Sequence, residues 1–104
     1  MKLFLKARDG RFDAKATYND ANKEFVVKKG SKVSQTVSAC EKFRSRNSVL
    51  KMREELVKDG VVYKDVTFRS PSTAANFVTG SSTNGMLAWK DEQGNSLKEL
   101  SNKA

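Results

Sequence analysis

Histidine is absent from the 104-residue chain, and cysteine, proline and tryptophan occur once each, as Cys40, Pro71 and Trp89. Without histidine there is no base for Ser/His/Asp or Cys/His catalysis, and one cysteine allows neither an internal disulfide nor a CxxC pair. A zinc or haem site of ordinary composition is thereby excluded, so no metal and no cofactor is expected. No apolar run approaches the roughly 18 to 20 residues of a membrane span. The opening MKLFLKARDG mixes charge with apolar residues where a secretory leader has an unbroken apolar stretch, which predicts a cytoplasmic protein without a membrane partner. Neither GxGxxG nor the P-loop pattern occurs, so nucleotide hydrolysis has no support. The acid pairs Glu54-Glu55 and Asp91-Glu92 are adjacent, which sends their side chains apart and makes them poor acid/base partners. An enzyme is not expected.

What the chain does have is positive charge: 20 Lys+Arg against 12 Asp+Glu, a net charge of +8 and a pI near 9.8. Such a balance is the electrostatic footprint of a domain that docks on phosphate. The excess is uneven, with nine basic and four acidic residues in 1–33 but five and four in 61–104. The length suits one domain over 1–104 with a single modest core.

Period-2 alternation predicts strands through Leu3, Leu5, Ala7 and through Phe12, Ala14, Ala16, Tyr18, joined at Asp9-Gly10 as a type I′ hairpin. A short strand follows at Phe25, Val26 and Val27. Lys2, Lys6 and Lys15, with Phe4, then lie opposite the core as a mixed basic and aromatic surface. Residues 34–48, rich in serine, read as a mobile connection in which Lys42, Phe43, Arg44 and Arg46 gather cations and a stacking ring. Asn47 or Ser48 caps a helix with an apolar stripe at Val49, Met52 and Leu56, ended by Gly60. Val61–Tyr63 and Val66–Phe68 read as extended. A second helix is marked by Ser70 as N-cap, Pro71 at its first position and Gly80 at its end. Its amino terminus can hold a phosphate or be merely capped. Met86 to Trp89 reads as a strand, Gly94 as the centre of a turn, and Ser96 as the cap of a final helical turn with Leu97 and Leu100.

The run Phe68-Arg-Ser-Pro-Ser-Thr-Ala-Ala75, with Val78-Thr-Gly80, Asn84-Gly85, Trp89-Lys90, Gly94 and Leu97-Lys-Glu-Leu100, resembles a small bacterial and archaeal domain of unknown function found at the carboxyl end of GIY-YIG endonuclease proteins. Asp13-Ala-Lys15, Phe25-Val-Val27, Gly30-Ser31 and Leu50 to Val61 extend the likeness to residues 12–100. The SPS, NG and W elements also resemble those of the restriction-associated RAMA domain, proposed as a reader of modified DNA. Two positions depart from the pattern: Ala16 stands where glycine is usual, and Met86 where an aromatic commonly follows NG.

The resemblance implies a non-catalytic accessory module that binds nucleic acid, double-stranded DNA first, with modified DNA and RNA as further ligands and a nuclease or methyltransferase as protein partner. It nominates Ser70, Ser72, Asn84, Trp89 and Lys90 as a shared site, although Ser70 can be only a cap and Trp89 only core. Lys28, Lys29, Lys32, Lys42, Arg44 and Arg46 supply the expected phosphate clamp. The expected architecture is α+β, an antiparallel sheet of about four to six strands with two helices packed on one face. The rival reading is a regulatory module whose basic surface meets an acidic protein.

Overall fold

Alternation of apolar and polar side chains builds the first three strands, β1 (Lys2–Lys6), β2 (Asp13–Asn19) and β3 (Glu24–Val27). In the computed structural model, which describes residues 1–19, 21–35, 37–38 and 46–102, these pair as an antiparallel meander. Leu3, Leu5, Ala14, Ala16, Phe25 and Val27 point inward and are buried. Further along the chain lie α1 (Arg46–Leu56), β4 (Val57–Lys58), β5 (Val61–Val62), β6 (Val66–Phe68), α2 (Pro71–Thr79), α3 (Gly85–Ala88) and α4 (Leu97–Asn102). Strand β6 joins the free side of β3, giving the order β1-β2-β3-β6, while β4 and β5 form a separate two-stranded hairpin. The fold is thus α+β, with a four-stranded antiparallel sheet and four helices among the described residues where two helices were expected.

Helix α2 supplies the main lid of the core. Ala74, Ala75, Phe77 and Val78 are buried, and the helix lies against β3 and β6. Small residues at 74 and 75 allow that close approach. Phe68 meets Phe77 with ring centroids 5.4 Å apart, and Phe25 meets Trp89 at 4.9 Å, both tilted as the ring quadrupoles prefer. Helix α1 contributes Val49, which is buried, and Met52 and Leu56, which pack at the margin of the core.

Four local expectations change. The Asp9-Gly10 turn is not type I′: only Gly10 has positive φ, and the Ala7 N–H donates to the Phe12 carbonyl across a four-residue loop. Ala7 is itself buried, so inward alternation continues past β1 before the chain can turn. The two-residue turn with both φ positive occurs at Asp59-Gly60, between β4 and β5, where the strands pair directly on either side. Gly60 therefore serves a hairpin and does not end α1, which stops at Leu56. Met86 to Trp89 is not a strand but one helical turn, α3, followed by extended Trp89. The segment 34–48 is also not one loop: Arg46 to Ser48 belong to α1, and Ser34 is buried, its amide donating to the Val78 carbonyl. Lys42, Phe43 and Arg44 lie outside the described residues.

Candidate nucleic-acid interface

Directly paired residues of antiparallel strands project on the same side of a sheet. Phe4 pairs with Lys15 and bridges to Lys90, and the Lys28 amide donates to the Lys15 carbonyl at 2.8 Å. Lys90, Phe4, Lys15 and Lys28 thus form one row across the sheet, opposite the face that buries Leu3, Ala16 and Trp89. On one side of this row, Lys2 pairs with Thr17, which pairs with Val26 and, through it, Thr67. On the other, Lys6 pairs with Asp13, which bridges to Lys32. The face is grooved, with about 370 Å³ of space bordered by Lys2, Phe4, Lys15, Thr17, Lys28 and Glu92.

Of its cations, Lys28 is tied to Asp65 at 3.1 Å, and Lys32 donates to the Gly10 carbonyl at 2.8 Å. No ion pair or hydrogen bond engages the ammonium groups of Lys2, Lys6, Lys15 or Lys90 among the described residues, and all four residues are exposed. Asp65 is held below the usual carboxylate range, first by the Lys29 amide at 2.8 Å and then by the Lys28 ammonium. A flexible ammonium array around a half-buried ring suits phosphate neutralisation with one stacking contact. Alternation in the sequence already puts Lys2, Lys6, Lys15 and Phe4 on this face. Nothing local indicates that Lys28, Lys32 and Lys90 join them, because that depends on strand pairing between distant parts of the chain.

The motif residues form a second, separate cluster whose polar side chains are engaged in hydrogen bonds to backbone groups. Ser70 caps α2, its hydroxyl accepting the Thr73 amide at 3.1 Å. The Ser72 hydroxyl accepts the Gly85 amide at 3.0 Å, and the Asn84 side chain caps α3 by accepting the Met86 amide. Trp89 is 0% exposed, and its indole N–H donates to the Pro71 carbonyl at 3.0 Å. As placed, the indole offers a ligand no surface. At Gly85 an added Cβ would lie 2.2 Å from the Pro71 carbonyl carbon and 2.4 Å from the Ser72 nitrogen, so the backbone there is in closest contact. The SPS, NG and W elements therefore lock α2, α3 and the following strand-like segment together, and only Lys90 continues from them onto the basic sheet face.

Of the remaining expected cations, the described Lys29 and Arg46 lie apart from the row. Lys29 sits in the turn after β3, where its amide bonds Asp65. Arg46, at the start of α1, donates from Nε to the Ser38 carbonyl at 3.0 Å. Among the described residues Arg53, which lies within the Leu50 to Val61 stretch of the likeness and is not among the expected site residues, is the cation most committed to structure. It donates to the Phe77, Val78 and Ser34 carbonyls, and burial pushes its pKa below the ordinary guanidinium value.

Among the described residues no cluster of three or more His, Cys, Asp or Glu side chains could hold a metal ion. No helix there is long and apolar enough to cross a membrane. No curated protein and no solved structure matches the chain. One family model does, over residues 5–101, which take in the motif cluster and most of the sheet and helices, whereas Lys2 and Phe4 of the basic face precede the matched span. By that match the chain belongs to the family described as a domain of unknown function, DUF4357.

Proposed function

We propose that the chain is a non-catalytic nucleic-acid-binding module that docks double-stranded DNA on the outer face of its sheet. The observation that carries this reading is the cross-strand row Lys90, Phe4, Lys15 and Lys28, flanked by Lys2 and Lys6. Each ammonium that neutralises a phosphate releases condensed counterions, and this entropy gain needs no particular base sequence. Phe4 adds a ring that can meet a base or sugar. Arg46 adds a further cation at the start of α1, and Lys42 and Arg44 precede it in the sequence.

The likeness to domains attached to GIY-YIG endonucleases and to RAMA domains supports a restriction, defence or repair setting. It adds modified DNA to the ligands and a nuclease or methyltransferase to the partners. Binding should be measured by fluorescence anisotropy at several salt concentrations against duplex DNA, methylated duplex, single-stranded DNA and RNA. The expected result is tightest binding to duplex, with log affinity falling against log salt by about 0.9 for each phosphate contacted. Weak binding that ignores ligand type and salt would overturn the reading and favour an acidic protein partner.

A further inference from the structure

A cleft of about 750 Å³ opens beside the basic face, between the loop that joins β1 to β2 and the carboxyl end of α2. Its volume lies within the roughly 300 to 1,000 Å³ typical of small-molecule sites. The geometry points to this cleft as a binding site for a single nucleotide, a planar base carrying a phosphate.

Three features of the lining select that chemistry. The apolar part is Leu5, Phe12 and Ala88, a surface on which a flat ring can lie. The polar wall is a hydroxyl array. Thr79 and Thr83 stand 2.9 Å apart through their Oγ1 atoms, either of which can donate, and each also reaches the Ser81 carbonyl at 3.1 Å. Their hydrogens are shared among these internal bonds, and the oxygen lone pairs that remain, with hydroxyls able to turn outward, can meet the edge of a nucleobase. At the rim are two cations, Arg11 and Lys32. Arg11 uses Nε for Asp9, at 2.9 Å, and no bond engages its terminal nitrogens among the described residues. Lys32 spends one N–H on the Gly10 carbonyl. Both can bond phosphate oxygens with donors that remain. Inorganic phosphate alone would leave the apolar surface and the hydroxyl wall unused, and an acyl chain would engage neither the hydroxyls nor the cations.

Lys32 belongs to both surfaces, since it lines the cleft and also stands in the row with Lys6 and Asp13. A nucleotide can therefore arrive free or as an unstacked residue of a strand lying on the sheet; the second source rests on the proposed DNA binding, and the first does not.

The test follows backbone amides by NMR while the full chain is titrated with each of the four deoxynucleoside monophosphates, with inorganic phosphate, and with a duplex carrying mismatched 2-aminopurine. Saturable shifts at Gly10, Phe12, Ser81 and Thr83 with a mononucleotide, and weaker ones with phosphate, are expected. Arg11→Gln and Thr83→Val should each weaken binding about tenfold, the factor for one lost hydrogen bond of charge-assisted or well-aligned kind. Arg11 is largely exposed, so its variant keeps the fold. Lys15→Glu should weaken the duplex and spare the mononucleotide.

Cleft shifts with mononucleotides but no duplex binding would sustain the site and defeat the DNA reading. Cleft shifts and 2-aminopurine brightening with the duplex alone would assign the strand as source. If neither ligand class moves the cleft amides, the inference is overturned, whatever the sheet face binds.

Discussion

Arg53 stabilises the fold as a cation without a carboxylate. Its guanidinium donates to Phe77 O at 3.0 and 2.8 Å, to Val78 O at 3.2 Å and to Ser34 O at 2.6 Å, so it closes the negative end of α2 and anchors the segment after β3. Desolvation disfavours the charge, and the fork of carbonyls compensates. Arg53→Met should lower stability by about 2 to 4 kcal/mol in urea unfolding, because half-buried carbonyls lose their donors. Arg53→Lys should recover only part of that, since an ammonium cannot span the fork. A loss under about 0.5 kcal/mol would remove this role. Asp65 acts in the opposite direction at the interface. Its carboxyl is depressed in the folded chain, so its contribution to stability is present above the ordinary value of 3.8 and is lost as pH falls through the lower folded value. Asp65→Asn should flatten the acid limb of a stability-versus-pH curve between 3.8 and that lower folded value. It should also tighten duplex binding by freeing Lys28, which anisotropy at low salt would detect.

Helix α3 exists because of contacts made at a distance. Four residues, Gly85 to Ala88, have too little length for a helical period to be visible, and a short apolar run reads equally well as strand. What decides is the Asn84 cap together with the Ser72 hydroxyl on the Gly85 amide. Gly85→Ala should therefore cost about 3 kcal/mol or more, since the new methyl would strike Pro71 and Ser72 backbone that cannot give way. Gly94→Ala, with φ of +86° and open space around it, should cost only about 1 to 2 kcal/mol. Thermal unfolding of the pair separates contact from conformation, and equal losses would deny that α2 and α3 are in closest approach there. The same contrast explains what was legible. Ser70, Pro71 and Gly80 mark α2 through strictly local chemistry, and alternation marks β1 and β2 together with the lysines between their core residues. The turn at Asp59-Gly60 and the placement of Lys28, Lys32 and Lys90 depend on strand register. The resemblance nominates Ser72, Asn84 and Trp89 as ligand contacts; in the fold the hydrogen bonds of Ser72 and Trp89 join α2 to α3 and the segment after it, and Asn84 caps α3.

Across the whole molecule, a charge asymmetry along the chain becomes an asymmetry between surfaces. The first 33 residues hold the basic excess and also supply three of the four strands of the main sheet, with lysine at outward positions. The outer side of α1 instead carries exposed Lys51, Glu54 and Glu55, where charges nearly cancel. Generic attraction to a polyanion depends on total charge, whereas docking depends on where the charge sits. Two double variants with the same net change distinguish these cases: Lys2→Glu with Lys15→Glu on the sheet, and Lys51→Glu with Lys58→Glu on α1 and β4. All four lysines are exposed, so both proteins should keep the parent circular dichroism spectrum. If duplex docks on the sheet, the first pair should weaken binding alike for all sequences and reduce the salt slope by about 1.8, two phosphate contacts at 0.9 each. The second pair should leave the slope nearly unchanged. Equal losses from the two would mean that the positive field of the whole chain, and not the row of lysines around Phe4, attracts the polyanion.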